Sequence, residues 1–145
     1  MRGNKPWKKK YEFTDETTEV DGKTLHRIRA LRDFSDVEKG DIGGFIEHEG
    51  NLSHEDSCWV YHNAKVYGNA RVYGHASIYD GAEIYDNALV GGYVLVHDNA
   101  RIYGDAGIYD NAEVYGDAKV YGDAVVHLGA QVGSYTAIST GEKTR

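Results

Sequence analysis

From Ala64 to Gly141 the chain reads AKVYGN, ARVYGH, ASIYDG, AEIYDN, ALVGGY, VLVHDN, ARIYGD, AGIYDN, AEVYGD, AKVYGD, AVVHLG, AQVGSY, TAISTG. These are thirteen sextets without an insertion, with Ala first in eleven of them and Val94 and Thr136 as the departures. The third position is Val or Ile in all thirteen. Upstream, CWVYHN keeps the frame with Cys58 at the alanine position. Ala-x-Val-Tyr alternates with the period of a strand, and the Gly/Asp and Asn/Asp/Gly that follow break it. Those residue types tolerate left-handed backbone, so each sextet is a short strand and a corner. A helix would need a repeat near multiples of 3.6, which six is not.

Three sextets close a triangle of 18 residues, and coils stack at roughly 4.8 Å, the spacing of parallel strands. Residues 58–141 then form between four and five coils. Stacked Val and Ile fill the interior, with Ala where the chain turns. Burying each Val or Ile is worth about 1.5–3 kcal/mol before conformational entropy is subtracted. Cys58 reads as a small buried residue; as the one cysteine it excludes a disulfide framework and a thiolate zinc site.

An aliphatic residue followed four places later by a small one, as in Val66–Ala70, Val72–Ala76 and Ile102–Ala106, resembles the hexapeptide-repeat, left-handed parallel β-helix proteins. The resemblance implies left-handed winding, where the general rule for parallel crossovers points the other way. One departure is the residue after the aliphatic: Tyr in eight of thirteen sextets here, small or acidic in the family's enzymes. More narrowly, RALRDF…GDIGGFIE…NLS…CWVY resembles small proteins of bacteria and their phages rich in VYGNA repeats, over roughly residues 11–123. That resemblance implies a phage or mobile-element product, with an anti-CRISPR-like inhibitor of host defence as one expected role.

Before the coils, KYEFTDETTEV, the pair Asp21-Gly22 and KTLHRIRAL read as a β-hairpin. One of its faces, with His26, Ile28 and Ala30, is expected to cap the open end of the stack, because an uncovered terminal coil is an aggregation edge. Residues 33–44 are a turn-rich connector. Ile46, Leu52 and Cys58, six apart, mark an irregular first coil. The expected division is a basic flexible tail at 1–10, cap and connector at 11–45, β-helix at 46–141 and a tail at 142–145.

The net charge is −7, and Arg2, Lys5, Lys8, Lys9 and Lys10 put +5 in the first ten residues, leaving −12 on the rest. An acidic body suits duplex nucleic acid poorly. The stretch KPWKKKYEF, with Lys8, Lys9 and Lys10, mixes basic and aromatic residues as nucleic-acid-tracking segments do, or is a solvated terminus. No apolar run is long enough to span a bilayer, so the expected location is the cytoplasm.

Residues 18 apart lie above one another. Tyr67, Tyr85, Tyr103 and Tyr121 form one outer column, and Tyr61, Tyr79, His97 and Tyr115 a second. Tyr73, Tyr109 and His127 share a third with Gly91. Such ladders either stiffen the coil or present an aromatic recognition surface. The third face, with Leu89, Val125, Tyr73 and Tyr109, is the least charged and is a candidate for self-association or a partner site. The corner acids Asp80, Asp86, Asp98, Asp105, Asp117 and Asp123 either form turns or present regular negative charge. His97 and His127 replace Tyr in otherwise ordinary sextets, no excursion loop interrupts the coils, and no nucleophile–base pair, P-loop or GxGxxG is visible. No catalytic, cofactor or metal residue is assigned. The expectation is a non-enzymatic module binding a protein or ribonucleoprotein. A hexapeptide-repeat acyltransferase or metal-dependent hydratase, or a self-assembling structural rod, are the alternatives.

Overall fold

A computed structural model describes residues 9–144. Within them the chain is a three-sided parallel β-solenoid of about six coils, extended at one end by an antiparallel hairpin. Face one stacks Lys65–Val66, Glu83–Ile84, Arg101–Ile102, Lys119–Val120 and Ala137–Ile138. Face two stacks Trp59–Val60, Ser77–Ile78, Leu95–Val96, Glu113–Val114 and Gln131–Val132. Face three stacks Arg71–Val72, Leu89–Val90, Gly107–Ile108, Val125–His127 and Glu142–Thr144. Apart from the last pairing, partners along these columns are 18 apart, as in Arg101↔Lys119 and Ile102↔Val120.

Two hydrogen-bonded residues per strand suffice because each is paired on both sides. Lys65 N donates to Ala82 O at 3.0 Å and Tyr67 N to Ile84 O at 3.0 Å, and the pattern repeats up the stack. The aliphatic third positions and the alanines from Ala64 to Val132 are buried. Each corner holds a residue in the left-handed region: Gly68 at φ 67°, Asp80 at 59°, Asp98 at 60°. The aspartates there do more than turn the chain. Oδ2 of Asp80, Asp86, Asp98 and Asp110 accepts the backbone N–H one coil on, from Asp98, Gly104, Gly116 and Leu128, at 2.9–3.2 Å.

The stack departs from strict repetition at both ends. Ile46 pairs with Val66 and Leu52 bridges Val72, each 20 residues on, whereas Val60 pairs with Ile78 at 18. The first coil therefore carries two extra residues between Leu52 and Val60, around Asp56 at φ 58°. The even spacing of Ile46, Leu52 and Cys58 concealed this, since Cys58 occupies the alanine position and Val60 the inward one. At the other end Val125 pairs with Glu142, Val126 with Lys143 and His127 with Thr144, 17 apart. Residues Glu142–Thr144, expected as a tail, are thus a strand of face three, with a lysine aligned to the inward column.

The hairpin forms as the sequence predicts: β1 spans Tyr11–Val20, β2 Lys23–Ala30, and Asp21 and Gly22 both have positive φ, as a type I′ turn requires. Its placement differs from a lid laid across the coil. β2 pairs antiparallel with β3 (Ile42–Ile46), and β3 pairs in parallel with Lys65–Val66, so the hairpin continues face one. A bulge between Arg27 and Arg29 switches the inward parity. Leu25, Ile28 and Ala30 are buried, and His26 instead lies half-buried, stacked on Phe13 at 4.5 Å. Gly43 and Gly44 let β3 approach the first coil, since a Cβ on either would meet Val60 O or Ala64 O at 2.6–2.7 Å.

Tyr11, Trp59, Phe34 and Lys10 close the end of the core. Tyr11 stacks on His54 at 4.1 Å and donates its hydroxyl to Leu52 O at 2.5 Å. Lys10, placed by the sequence reading in a flexible tail, is fully buried. Its ammonium reaches Cys58 O at 2.6 Å, Asp56 O at 3.3 Å and Glu55 O at 3.4 Å. Those three carbonyls belong to the irregular turn of the first coil, between Leu52 and Val60. Burial lowers the Lys10 pKa and raises that of the Cys58 thiol, 3.3 Å away.

Candidate functional surfaces

On face one, Tyr67, Tyr85, Tyr103 and Tyr121 do stack, at 5.0 Å between successive centroids and within 6° of parallel. The column covers its own ring faces, so it offers edges and hydroxyls to a partner, not platforms. Tyr67 is removed from the surface altogether: with Phe45 and Leu25 it forms a small buried cluster beneath the hairpin. Burial and the Glu83 carboxylate, 3.4 Å from its hydroxyl, raise its pKa. The sequence reading missed this because it assigned the cap to the coil end.

Face three keeps its apolar character. Leu89 is 37% and Tyr73 39% exposed, with Val125 and Tyr109 half-buried beside them. Where this face loses its tyrosine, the ring one coil earlier fills the space: Tyr73 lies over Gly91, where any Cβ would overlap its ring; Tyr109 instead folds back over Gly107 of its own sextet. The corner leading into this face carries Asp86, Asp105 and Asp123, all exposed. Asn87 links two successive coils by donating to Asp105 at 3.1 Å. Asp117, also exposed, lies at the corner between faces two and one, so the candidate acids do not converge on one surface.

On face two the ladder is mixed. Tyr79 stacks on His97 at 4.8 Å, and His97 on Tyr115 at 5.7 Å. His97 Nε2 is 2.7 Å from Glu113 Oε2, and Nδ1 is 3.3 Å from Asp98 Oδ1 and 3.9 Å from Asp80 Oδ2. The amide of Gly116, donating to Asp98, holds that carboxyl below its ordinary range. His127 is engaged similarly by Glu142 at 2.5 Å and Asp110 at 3.5 Å. Below them, Tyr61 donates to Asp36 Oδ1 at 2.8 Å, and burial with that carboxylate pushes its pKa up to about 12.

The basic N-terminal stretch is only partly described. Lys8 lies outside the described residues, Lys9 pairs with Glu49 at 3.2 Å, and Lys10 is inside the core. Lys10 is therefore unavailable to a nucleic-acid backbone. No helix among the described residues is long and apolar enough to cross a membrane.

Fold and repeat together define a hexapeptide-type parallel β-solenoid. A family model described as the YdcK beta solenoid repeat matches residues 64–80, about one coil. Over 37 residues the chain is 46% identical to a protein of Escherichia coli (strain K12) described as an uncharacterized acetyltransferase, YdcK. That stretch is 26% of this chain and 11% of the relative, so the chain spans only a small part of the relative's length.

Proposed function

We propose that the chain is a non-enzymatic protein-binding module whose docking surface is face three. The observation that carries this reading is an exposed apolar strip, Leu89 and Tyr73 with Val125 and Tyr109, edged by Asp86, Asp105 and Asp123. An apolar centre with an acidic corner along one edge, and the exposed Arg71 in the Leu89 column, suits a partner protein that presents an apolar anchor beside basic side chains; the charges speed encounter and the centre supplies affinity. An inhibitor of a host defence protein, made by a phage or mobile element, is the finer role this surface fits. His97 is paired with Glu113 and Asp98, and His127 with Glu142 and Asp110.

The test compares capture from bacterial lysate by wild type, by Leu89→Asp/Val125→Arg and by Tyr103→Phe, with subunit mass measured by light scattering. A partner retained by wild type and Tyr103→Phe, lost by the face-three variant and weakened by salt is the expected result. A partner retained by the face-three variant overturns the assignment. A wild-type oligomer dispersed by Leu89→Asp/Val125→Arg transfers the surface to self-association.

A second reading is favoured by the match to YdcK: the solenoid as part of an acetyltransferase. Acyl-CoA binding to the purified chain, lost in His97→Tyr or His127→Tyr, would establish it.

A further inference from the structure

The corner between faces two and one is built differently from the others. Its left-handed positions are His62, Asp80, Asp98, Gly116 and Ser134, so aspartate occurs there in two successive coils. The other corners hold Gly68, Asp86, Gly104 and Gly122, or Gly74, Gly92, Asp110 and Leu128, with no such succession. Beside that pair the repeat exchanges its tyrosine for His97. The imidazole Nδ1 faces both carboxylates, and one donor atom from each of Asp80, His97 and Asp98 lies within 4.8 Å of the others. His127 provides the contrast: its Nδ1 faces Asp110, but the next residue is Leu128, so a second carboxylate is lacking.

A separate observation concerns the far side of the ring. His97 Nε2 meets Glu113 Oε2 at 2.7 Å, and the ring is held flat between Tyr79 and Tyr115. A carboxylate taking the N–H of one ring nitrogen fixes the tautomer and turns the other nitrogen's lone pair outward, as outer-shell carboxylates do for metal-bound histidine. Here that lone pair would point at two anions. The pair is already anchored, since Oδ2 of Asp80 and of Asp98 accepts an amide of the next coil; Asp98 presents its other oxygen, Oδ1, to the imidazole, and Asp80 presents Oδ2, the atom that also takes the Asp98 amide.

We propose that Asp80, His97 and Asp98 bind one divalent transition-metal ion of the zinc–cobalt class, clamping two successive coils, with Glu113 as the outer carboxylate. One imidazole and two carboxylates suit zinc or cobalt, whereas magnesium and calcium prefer all-oxygen shells. The 3.3 Å between His97 Nδ1 and Asp98 Oδ1 is close to the edge of a tetrahedron with bonds of about 2.0–2.1 Å. Asp80, whose Oδ2 lies 3.9 Å from Nδ1, has to draw in for the three donors to share one ion, and water completes the shell at this open corner. His62, 3.5 Å from Asp80 Oδ1, stands next to the site. The clamp lies away from face three and does not depend on the docking assignment.

The experiment titrates the chelator-treated full chain with zinc and with magnesium by calorimetry, and follows thermal unfolding with and without one equivalent of zinc. His97→Tyr restores the residue that neighbouring sextets carry, and Asp98→Asn keeps an acceptor for Gly116, so both are expected to fold. Expected are one zinc per chain, a raised melting temperature and no comparable magnesium binding. Both variants should abolish the zinc effect, and Glu113→Gln should weaken binding about 10- to 100-fold. Zinc binding undiminished in His97→Tyr, equal binding of magnesium, or no zinc binding by wild type would overturn the proposal.

Discussion

At the scale of single residues, the outer tyrosines differ in what surrounds their hydroxyls. Tyr61 is held by Asp36, and its pKa of about 12 in the folded chain stands above the ordinary value of 10.0. The unfolded chain thus releases this proton first, and folding stability falls as pH rises wherever the native state binds more protons. The contribution of Tyr61 is fully present below pH 10 and lost as the pH passes through 12. Wild type should lose stability more steeply than Tyr61→Phe between pH 10 and 12, measured by denaturant unfolding at stepped pH. Parallel profiles for the two proteins would show that burial and Asp36 together do not raise the Tyr61 pKa. Lys10 belongs to the same scale. A lysine in a run of three reads as solvated, and the carbonyls of Glu55, Asp56 and Cys58, with the Phe34 ring, hold this one inside.

Among the elements, the hairpin is the one with separable packing. Leu25 contacts a cluster of its own with Phe45 and Tyr67, whereas Ile28 and Ala30 join the main core. Leu25→Asp would place an unpaired carboxylate in that cluster, a change that costs about 3–5 kcal/mol when no partner compensates it. The expected outcome is local: amides of Lys23–Ala30 lose hydrogen-exchange protection while those of Arg101–Ile102 keep theirs. Equal loss in both places would mean that the hairpin and coils unfold as one unit. The hairpin's existence was legible from Asp-Gly between two alternating runs. Its attachment was not, because the bulge at Arg27–Arg29 arises from fitting β2 onto β3, and neither strand's own pattern encodes the register.

For the molecule as a whole, stability is close to a sum of coils and their interfaces. Each coil's amides donate to carbonyls about 17 residues further on, as Arg101 N does to Ala118 O. Among the described residues the final strands pair on one side only, so exchange should be fastest over residues 137–144 and slowest near residues 83–102, paired on both sides. Uniform protection along the stack would indicate that the last coil is covered, as it would be by a second copy. The repeat by itself determined the three-sided solenoid, its 18-residue period, its inward Val/Ile columns and which tyrosines share a column. It could do so because identical sextets repeat one local solution, and residues one coil apart must then stack. Only the tertiary structure decided the two-residue expansion of the first coil, the strand at Glu142–Thr144, the burial of Lys10 and Tyr67, and the meeting of Asp80, His97 and Asp98. Each of these depends on a contact where the repeat is broken or where two coils face one another, and a period read along the chain carries no information about what fills the space between.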